Sequence, residues 1–230
     1  MRQTKSRHVI ALLLLLSALQ PGLAQPIDQL PMYGGVDRST DPALRAADEK
    51  LVNDSVGHYG SREKASASFV GNGFAFYGRD DLTNAMRRFN QAWLLDPKNP
   101  EAYFGFAVVL HDMGKNCEAT AQFEKAASFG RYVQGMAPDA GRVFVLCAIE
   151  DKSITEEARL ALFARSDAFY AEALINEPNK GYVFASQATA LFWRGKYSES
   201  WEAVKQARAN GGRLPERFMQ MLSAKLPEPQ

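Results

Sequence analysis

The feature that most constrains this 230-residue chain is a self-similarity at a shift of 34 residues. Phe69-x-x-Asn72-Gly73-x-x-Phe76, then Ala85-x-x-x-Phe89, Ala92 and Pro97, recurs as Tyr103-x-x-Phe106-Ala107-x-x-Leu110, then Ala119-x-x-x-Phe123 and Ala126. A third occurrence starts at Phe184-x-x-Gln187-Ala188-x-x-Leu191 and continues through Gly195, Ser200-x-x-x-Val204 and Ala207. From Asp41 onward apolar residues fall at three- and four-residue steps, the period of helices, and no alternating strand pattern stands out. A fixed period of this length marks an architecture of stacked supersecondary units. The pattern also states its packing rule. Two antiparallel helices approach closely only where a small residue sits at the crossing, here Gly73, Ala107 and Ala188. A large residue of the second helix fills the space beside a small neighbour, as Phe89 and Phe123 do beside Ala85 and Ala119. Gly78, Gly114 and Gly195 fall at the turns, and Asp96-Pro97 closes one unit before the next begins.

The pattern resembles the tetratricopeptide repeat (TPR), a helix–turn–helix unit of 34 residues written W-x₂-L-G-x₂-Y, then A-x₃-F, then P. Phe69, Tyr103 and Phe184 stand where that pattern has Trp, and Asn72 and Gln187 where it has Leu. The resemblance implies an all-α fold, a right-handed superhelical stack of TPR helix–turn–helix units with an N-terminal extended arm and a C-terminal capping helix. The competing reading is an ordinary helical bundle with coincidental spacing. Units are expected at about 66–99, 100–133, 134–180 and 181–213. The third is irregular: Phe123 to Tyr170 is 47 residues, so about 13 residues are inserted between a first helix, Pro138–Ile149, and a long second helix over about 154–176. Ser153-x-x-Glu156 reads as the capping box of that helix. A helix at 214–225, with Phe218, Met219 and Leu222 on one side, caps the stack, as solenoids require. Residues 226–230 form a tail.

The N-terminus is a different kind of sequence. Arg2, Lys5 and Arg7 precede an apolar run from Val9 to Leu16, Pro21-Gly22 follows, and Gly22 and Ala24 supply the small residues of a cleavage site. This is the layout of a secretory signal peptide over residues 1–24. The run of about 11 apolar residues is shorter than the roughly 20 that cross a bilayer, so an uncleaved membrane anchor is the lesser reading. Cleavage leaves 206 residues with 24 Lys plus Arg against 26 Asp plus Glu, a net charge of −2 rather than +1. Residues 25–40, with two Pro and two Gly among the first eleven, read as an extended arm. Asp41-Pro42 opens a leading helix over 41–60. The Met32-Tyr33-Gly34-Gly35 arm, that helix and the stretch Ala85–Pro97 together resemble bacterial exported repeat proteins. Many of those are lipoproteins, and this chain has no lipid-accepting Cys near its cleavage site.

Composition excludes several functions. Balanced charge gives no field for nucleic-acid binding. A 46% hydrophobic and 11% aromatic content is globular, not disordered. Catalysis lacks a constellation: Cys117 and Cys147 are the candidate nucleophiles, His58 and His111 the candidate bases, with no orienting group placed by spacing. Cys117, Cys147 and His111 lack the close-spaced pair of a zinc site. Gly71-Asn72-Gly73 lacks the Lys-Ser/Thr of a phosphate loop. Asp80-Asp81 and Glu156-Glu157 sit at helix starts, where carboxylates suit the dipole. No catalytic residue, metal or cofactor is expected.

The two Cys are better explained together. Cys117 opens a second helix, Cys147 closes the next first helix, and these run antiparallel about a turn near residue 134, which brings them level. In an exported protein they are expected to form a disulfide, the alternative being two buried free thiols. The family resemblance implies a scaffold whose first helices line a concave groove for a peptide or partner helix. Carried over position by position, the lining is Val70, Phe74 and Tyr77; Glu101, Phe104, Val108 and His111; Tyr182, Ala185, Thr189, Phe192 and Trp193. This lining is aromatic and apolar, which disfavours clamping of a terminal carboxylate and suits an apolar or aromatic peptide. The expectation is therefore a non-enzymatic, periplasmic or secreted scaffold with a protein or peptide partner, binding no nucleic acid and not inserted in a membrane after signal cleavage. The alternative is an assembly component of an envelope machine of secretion or pilus type, its groove filled by residues 25–40.

Overall fold

The computed structural model describes residues 37–229. The expected signal peptide and most of the expected arm lie outside the described residues. Within them are ten helices and no strand: α1 (Pro42–Tyr59), α2 (Arg62–Tyr77), α3 (Leu82–Leu95), α4 (Pro100–Asp112), α5 (Asn116–Ala127), α6 (Met136–Glu150), α7 (Glu156–Asn176), α8 (Lys180–Trp193), α9 (Tyr197–Ala209) and α10 (Glu216–Lys225). Four hairpins, α2–α3, α4–α5, α6–α7 and α8–α9, pack in sequence. Each first helix lies against the first helix before it, and no comparable packing joins successive second helices. Such a stack is curved, with the first helices on its inner face. α1 packs on α2 and α3 at one end, and α10 on α9 at the other.

The local reasons are conventional ones. Asp41 caps α1, its carboxylate accepting from the amides of Ala43 and Leu44, with Pro42 in the first turn. Asn99 and Pro100 repeat that device at α4. Arg62 closes α3 from a neighbouring helix, donating from Nε to the Leu95 carbonyl at 2.8 Å and from Nη2 to the Leu94 carbonyl at 2.9 Å. In the 34-residue register, the turn position held by Gly114 and Gly195 with φ near +75° is met in the first hairpin by Asp80, a non-glycine at φ +61°. Gly78 is right-handed at φ −64°, so the glycine is displaced from the position that needs it. The long second helix begins at Glu156, and its cap is Thr155, whose hydroxyl accepts from the Ala158 amide at 3.2 Å. This corrects the Ser153 capping box: Ser153 is held by the Asp151 carboxylate in the preceding turn. α7 spans 21 residues against 12–14 for the other second helices, so much of the insertion is carried as extra helix.

The crossings carry the core. Phe89 is fully buried, and a Cβ on Gly73 or Gly105 would stand 2.5 Å or 2.3 Å from its ring. Tyr170 plays the same part against Gly141, where a Cβ would be 2.7 Å away. The position that is Ala85 and Ala119 in the first two hairpins is Ser166 and Ser200 in the last two. Both hydroxyls are buried and donate to the carbonyl of the crossing residue, Gly141 at 2.6 Å and Ala188 at 2.8 Å. Buried Glu177 accepts from the Tyr132 hydroxyl and the Gly135 amide, tying the connection before α6 to the end of α7.

Gly105→Ala tests the packing rule with opposed terms. Alanine ordinarily stabilises a helix interior by up to about 1 kcal/mol relative to glycine, but here the methyl meets a ring with no room to retreat. We expect a net loss of about 1–3 kcal/mol, measured by urea unfolding followed by circular dichroism. Unchanged or raised stability would contradict the packing described.

Candidate functional site

The inner face is built from α2, α4, α6 and α8, and the expected groove residues divide on it by burial. Val70, Phe104, Val108 and Phe192 are 3–7% exposed and belong to the core. Phe104 is a wedge between hairpins, its ring centroid 5.3 Å from that of Phe74 on α2 and 6.2 Å from that of Phe123 on α5. Phe192 packs at 5.6 Å on Phe218 of the capping helix. Phe74, Tyr77, Glu101 and His111 are partly buried, and Glu101 pairs with Arg131 at 3.1 Å. Tyr182 and Trp193 are the open aromatics, at 38% and 42% exposure. With the partly buried Ala185 and Thr189, they mark one stripe along α8.

Between these aromatics runs a polar belt that the sequence reading did not place. The Tyr77 hydroxyl lies within the electrostatic reach of Asp112 at the end of α4 and of Asp139 and Arg142 on α6. On α6, Arg142 Nη2 donates to Asp139 Oδ1 at 3.0 Å, and the same oxygen accepts from the Tyr182 hydroxyl. The belt thus crosses the inner face diagonally, from the ends of α2 and α4 to the starts of α6 and α8. Beneath it the buried Tyr170 hydroxyl meets Ser186 Oγ at 3.0 Å, and Ser186 donates to the Pro138 carbonyl at 2.7 Å. Asp139 is only 16% exposed, and burial pushes its carboxyl above the usual range, with Arg142 and Tyr182 pulling it back. Arg142 Nε is buried with no hydrogen-bond partner.

The signal for Arg142 was present. The groove position held by Val108 falls on Arg142 at a shift of 34, because α6 keeps the register and the insertion begins after it. Asp112 and Asp139 lie one residue away from groove positions, and no periodicity marks them.

His111 serves a junction instead. Its Nδ1 is 2.6 Å from Asn116 Oδ1, and Asn116 Nδ2 donates to Glu150 Oε2 at 2.6 Å, which links α4, α5 and α6. Beside this chain Cys117 and Cys147 have Cα atoms 4.8 Å apart and sulfurs at bonding distance. His58 lies on α1, its ring edge-on to Tyr59. Among the described residues no group of three or more His, Cys, Asp or Glu side chains is placed to hold a metal ion.

Two expectations follow. Cys117→Ser, or reductant, is expected to lower stability by about 3–4 kcal/mol, the chain-entropy value for a loop of about 30 residues, read by denaturant unfolding. Equal stability with and without reductant would contradict a formed bridge. The phenols of Tyr77, Tyr132, Tyr170 and Tyr182 are all raised, first by burial and, in Tyr77, Tyr132 and Tyr182, also by a neighbouring carboxylate. A raised folded-state value means stability that is complete below the ordinary tyrosine value of about 10 and falls as pH rises above it. These phenols should therefore ionise only as helical ellipticity is lost; tyrosinate absorbance for all eight tyrosines with the helices intact would contradict the belt.

No family model matches the sequence, and no curated protein is significantly similar to it. A solved structure similar to this one is the crystal structure of the APC/C hetero-tetramer Cut9-Hcn1, at 13% identity and a TM-score of 0.49 over 79% of this chain and 33% of that chain. This chain therefore spans about a third of the length of the chain it resembles. The helix pairing within the chain itself defines its all-α, TPR-like fold.

Proposed function

We propose that this chain is a non-enzymatic exported scaffold that holds a protein or peptide along the inner face of its helical stack. One observation carries the reading: Tyr182 and Trp193 stay 38% and 42% exposed on a single stripe of a first helix, beside the polar belt. Large aromatics left in water at a concave surface bury well against a partner. Export is supported by the character of the first 24 residues and by the close pair Cys117 and Cys147, which suits an oxidising compartment. Among the described residues no helix is long and apolar enough to cross a membrane.

The test is recovery of proteins from a periplasmic extract on immobilised protein, compared with a Tyr182→Ala/Trp193→Ala variant. Neither side chain belongs to the buried core clusters, and a helical spectrum and melting curve matching the parent qualify the variant before recovery is compared. A partner held on this face should be recovered about tenfold less well or worse, the loss typical of truncated central aromatics. Equal recovery of every partner would contradict the assignment.

A further inference from the structure

We infer that the outer face of α7 docks on the same face of a second copy of this chain, the two helices running antiparallel. The inference does not depend on the inner-face reading above. Three of the six large hydrophobics left exposed among the described residues stand on α7: Leu160 at 57%, Leu174 at 36% and Ile175 at 79%. Leu160, Ala164, Ala168, Ala171 and Ile175 follow one another at three- and four-residue steps, so they share one side of the helix, and all are exposed. Phe169, Tyr170 and Ala173 hold the opposite side in the core. Where this face has Ala164, Ala168, Ala171 and Leu174, the same register positions on α9 hold Ser198, Glu202, Lys205 and Arg208, all exposed. The outer surface of α9 is therefore polar, while that of α7 is a contiguous apolar strip of the kind that marks an interface.

Two features of this strip fit a second copy. It is palindromic in size. With the two-fold axis level with Asp167 and Ala168, Leu160 faces Ile175 of the second copy, Ala161 faces Leu174 of the second copy, and Ala164 faces Ala171 of the second copy. Large side chains then meet at both ends, and alanines let the backbones approach at the centre. Such an interface is isologous and closes at two subunits. The strip is also complementary in charge. Glu156 and Glu157 open α7, while Lys180 closes it, its Nζ 2.6 Å from the Leu174 carbonyl. Antiparallel docking sets the acidic end of each copy against the basic end of the other, and parallel docking would set like against like. Asp167, at the axis, brings no bare charge, because Arg194 Nη1 holds it at 2.5 Å. α7 is 21 residues long, or about 31 Å. One helix face per copy makes a small interface, below about 1,200 Å², so a dimer with a dissociation constant of about micromolar order is expected.

The experiment is sedimentation velocity of the chain from residue 25 onward, over about 1 to 100 μM, with Leu160→Lys and Ile175→Glu measured alone and mixed. Both sites are exposed, and a helical spectrum and melting curve matching the parent qualify each variant. The native chain should pass from monomer to dimer across that range. Each variant alone sets a charge against an aliphatic side chain and against the like-charged end of the other copy, so it should need about tenfold more protein to dimerise, or more. An equimolar mixture should regain dimer, because the two introduced charges are opposite and face each other.

A native chain that stays monomeric throughout, whether its strip is bare, covered by its own residues 25–36 or taken by a different protein, would overturn the inference. So would a dimer that both variants leave intact, which places the contact elsewhere. A mixture that associates no better than the separate variants would overturn the antiparallel register on which the inference stands.

Discussion

The structure depends on one steric arrangement: a large side chain from a second helix closing on a position of its first helix that has no side chain, as Phe89 does on Gly73 and Tyr170 on Gly141. Phe89 against Gly73 and Gly105 is the tightest case. It sets the distance between helices within a hairpin and, through Gly105, the distance to the next hairpin. Because one ring serves both contacts, the stack propagates from it. Where the large residue shrinks to Val204, the Ser200 hydroxyl bonds the Ala188 carbonyl and holds the crossing by another means. Net hydrogen-bond contributions are on the order of 1 kcal/mol, while burying a phenylalanine contributes roughly 1.5–3 kcal/mol. The aromatic crossings therefore set the geometry and the serines maintain it toward the C-terminal end.

Curvature follows from the same contacts. First helices pack on their predecessors, while successive second helices have no comparable packing, α5 and α7 meeting through the Arg165–Glu124 ion pair, so the inner face is dense and its side chains compete for space. Phe104 and Val108 are lost to the core there, while Tyr182 and Trp193, on the last first helix with only a short cap beyond it, are not. The belt of Tyr77, Asp112, Asp139, Arg142 and Tyr182 occupies what remains. An ion pair held at low exposure costs desolvation that is offset only with good geometry and extra hydrogen bonds. Asp139 has both Arg142 and the Tyr182 hydroxyl to meet that need, which also fixes the position of Tyr182.

The helical register was legible in the sequence because it is a packing rule with an invariant spacing, and the small residues at the crossings declare it. The Cys117 and Cys147 approach was legible for the same reason, since antiparallel helices of known length bring fixed positions level. Local caps were less so: Ser153 and Thr155 are both competent caps, and only the stability of the Asp151 turn decides that the helix starts at the second. Exposure on the inner face was not legible, because register says which way a residue points and not whether a neighbouring hairpin covers it. The polar belt joins residues far apart in sequence, and Asp139 becomes distinctive only once burial has removed its water.

The central claim is that the inner face, and no other surface, takes the partner. Hydrogen exchange of the free and ligand-bound protein, with a captured protein as ligand, tests it most directly. The account predicts added protection in α2, α4, α6 and α8 around Tyr77, Asp112, Arg142 and Tyr182, with α3, α5 and α9 unchanged. Protection confined to those second helices or to the exposed side of α7 would contradict it.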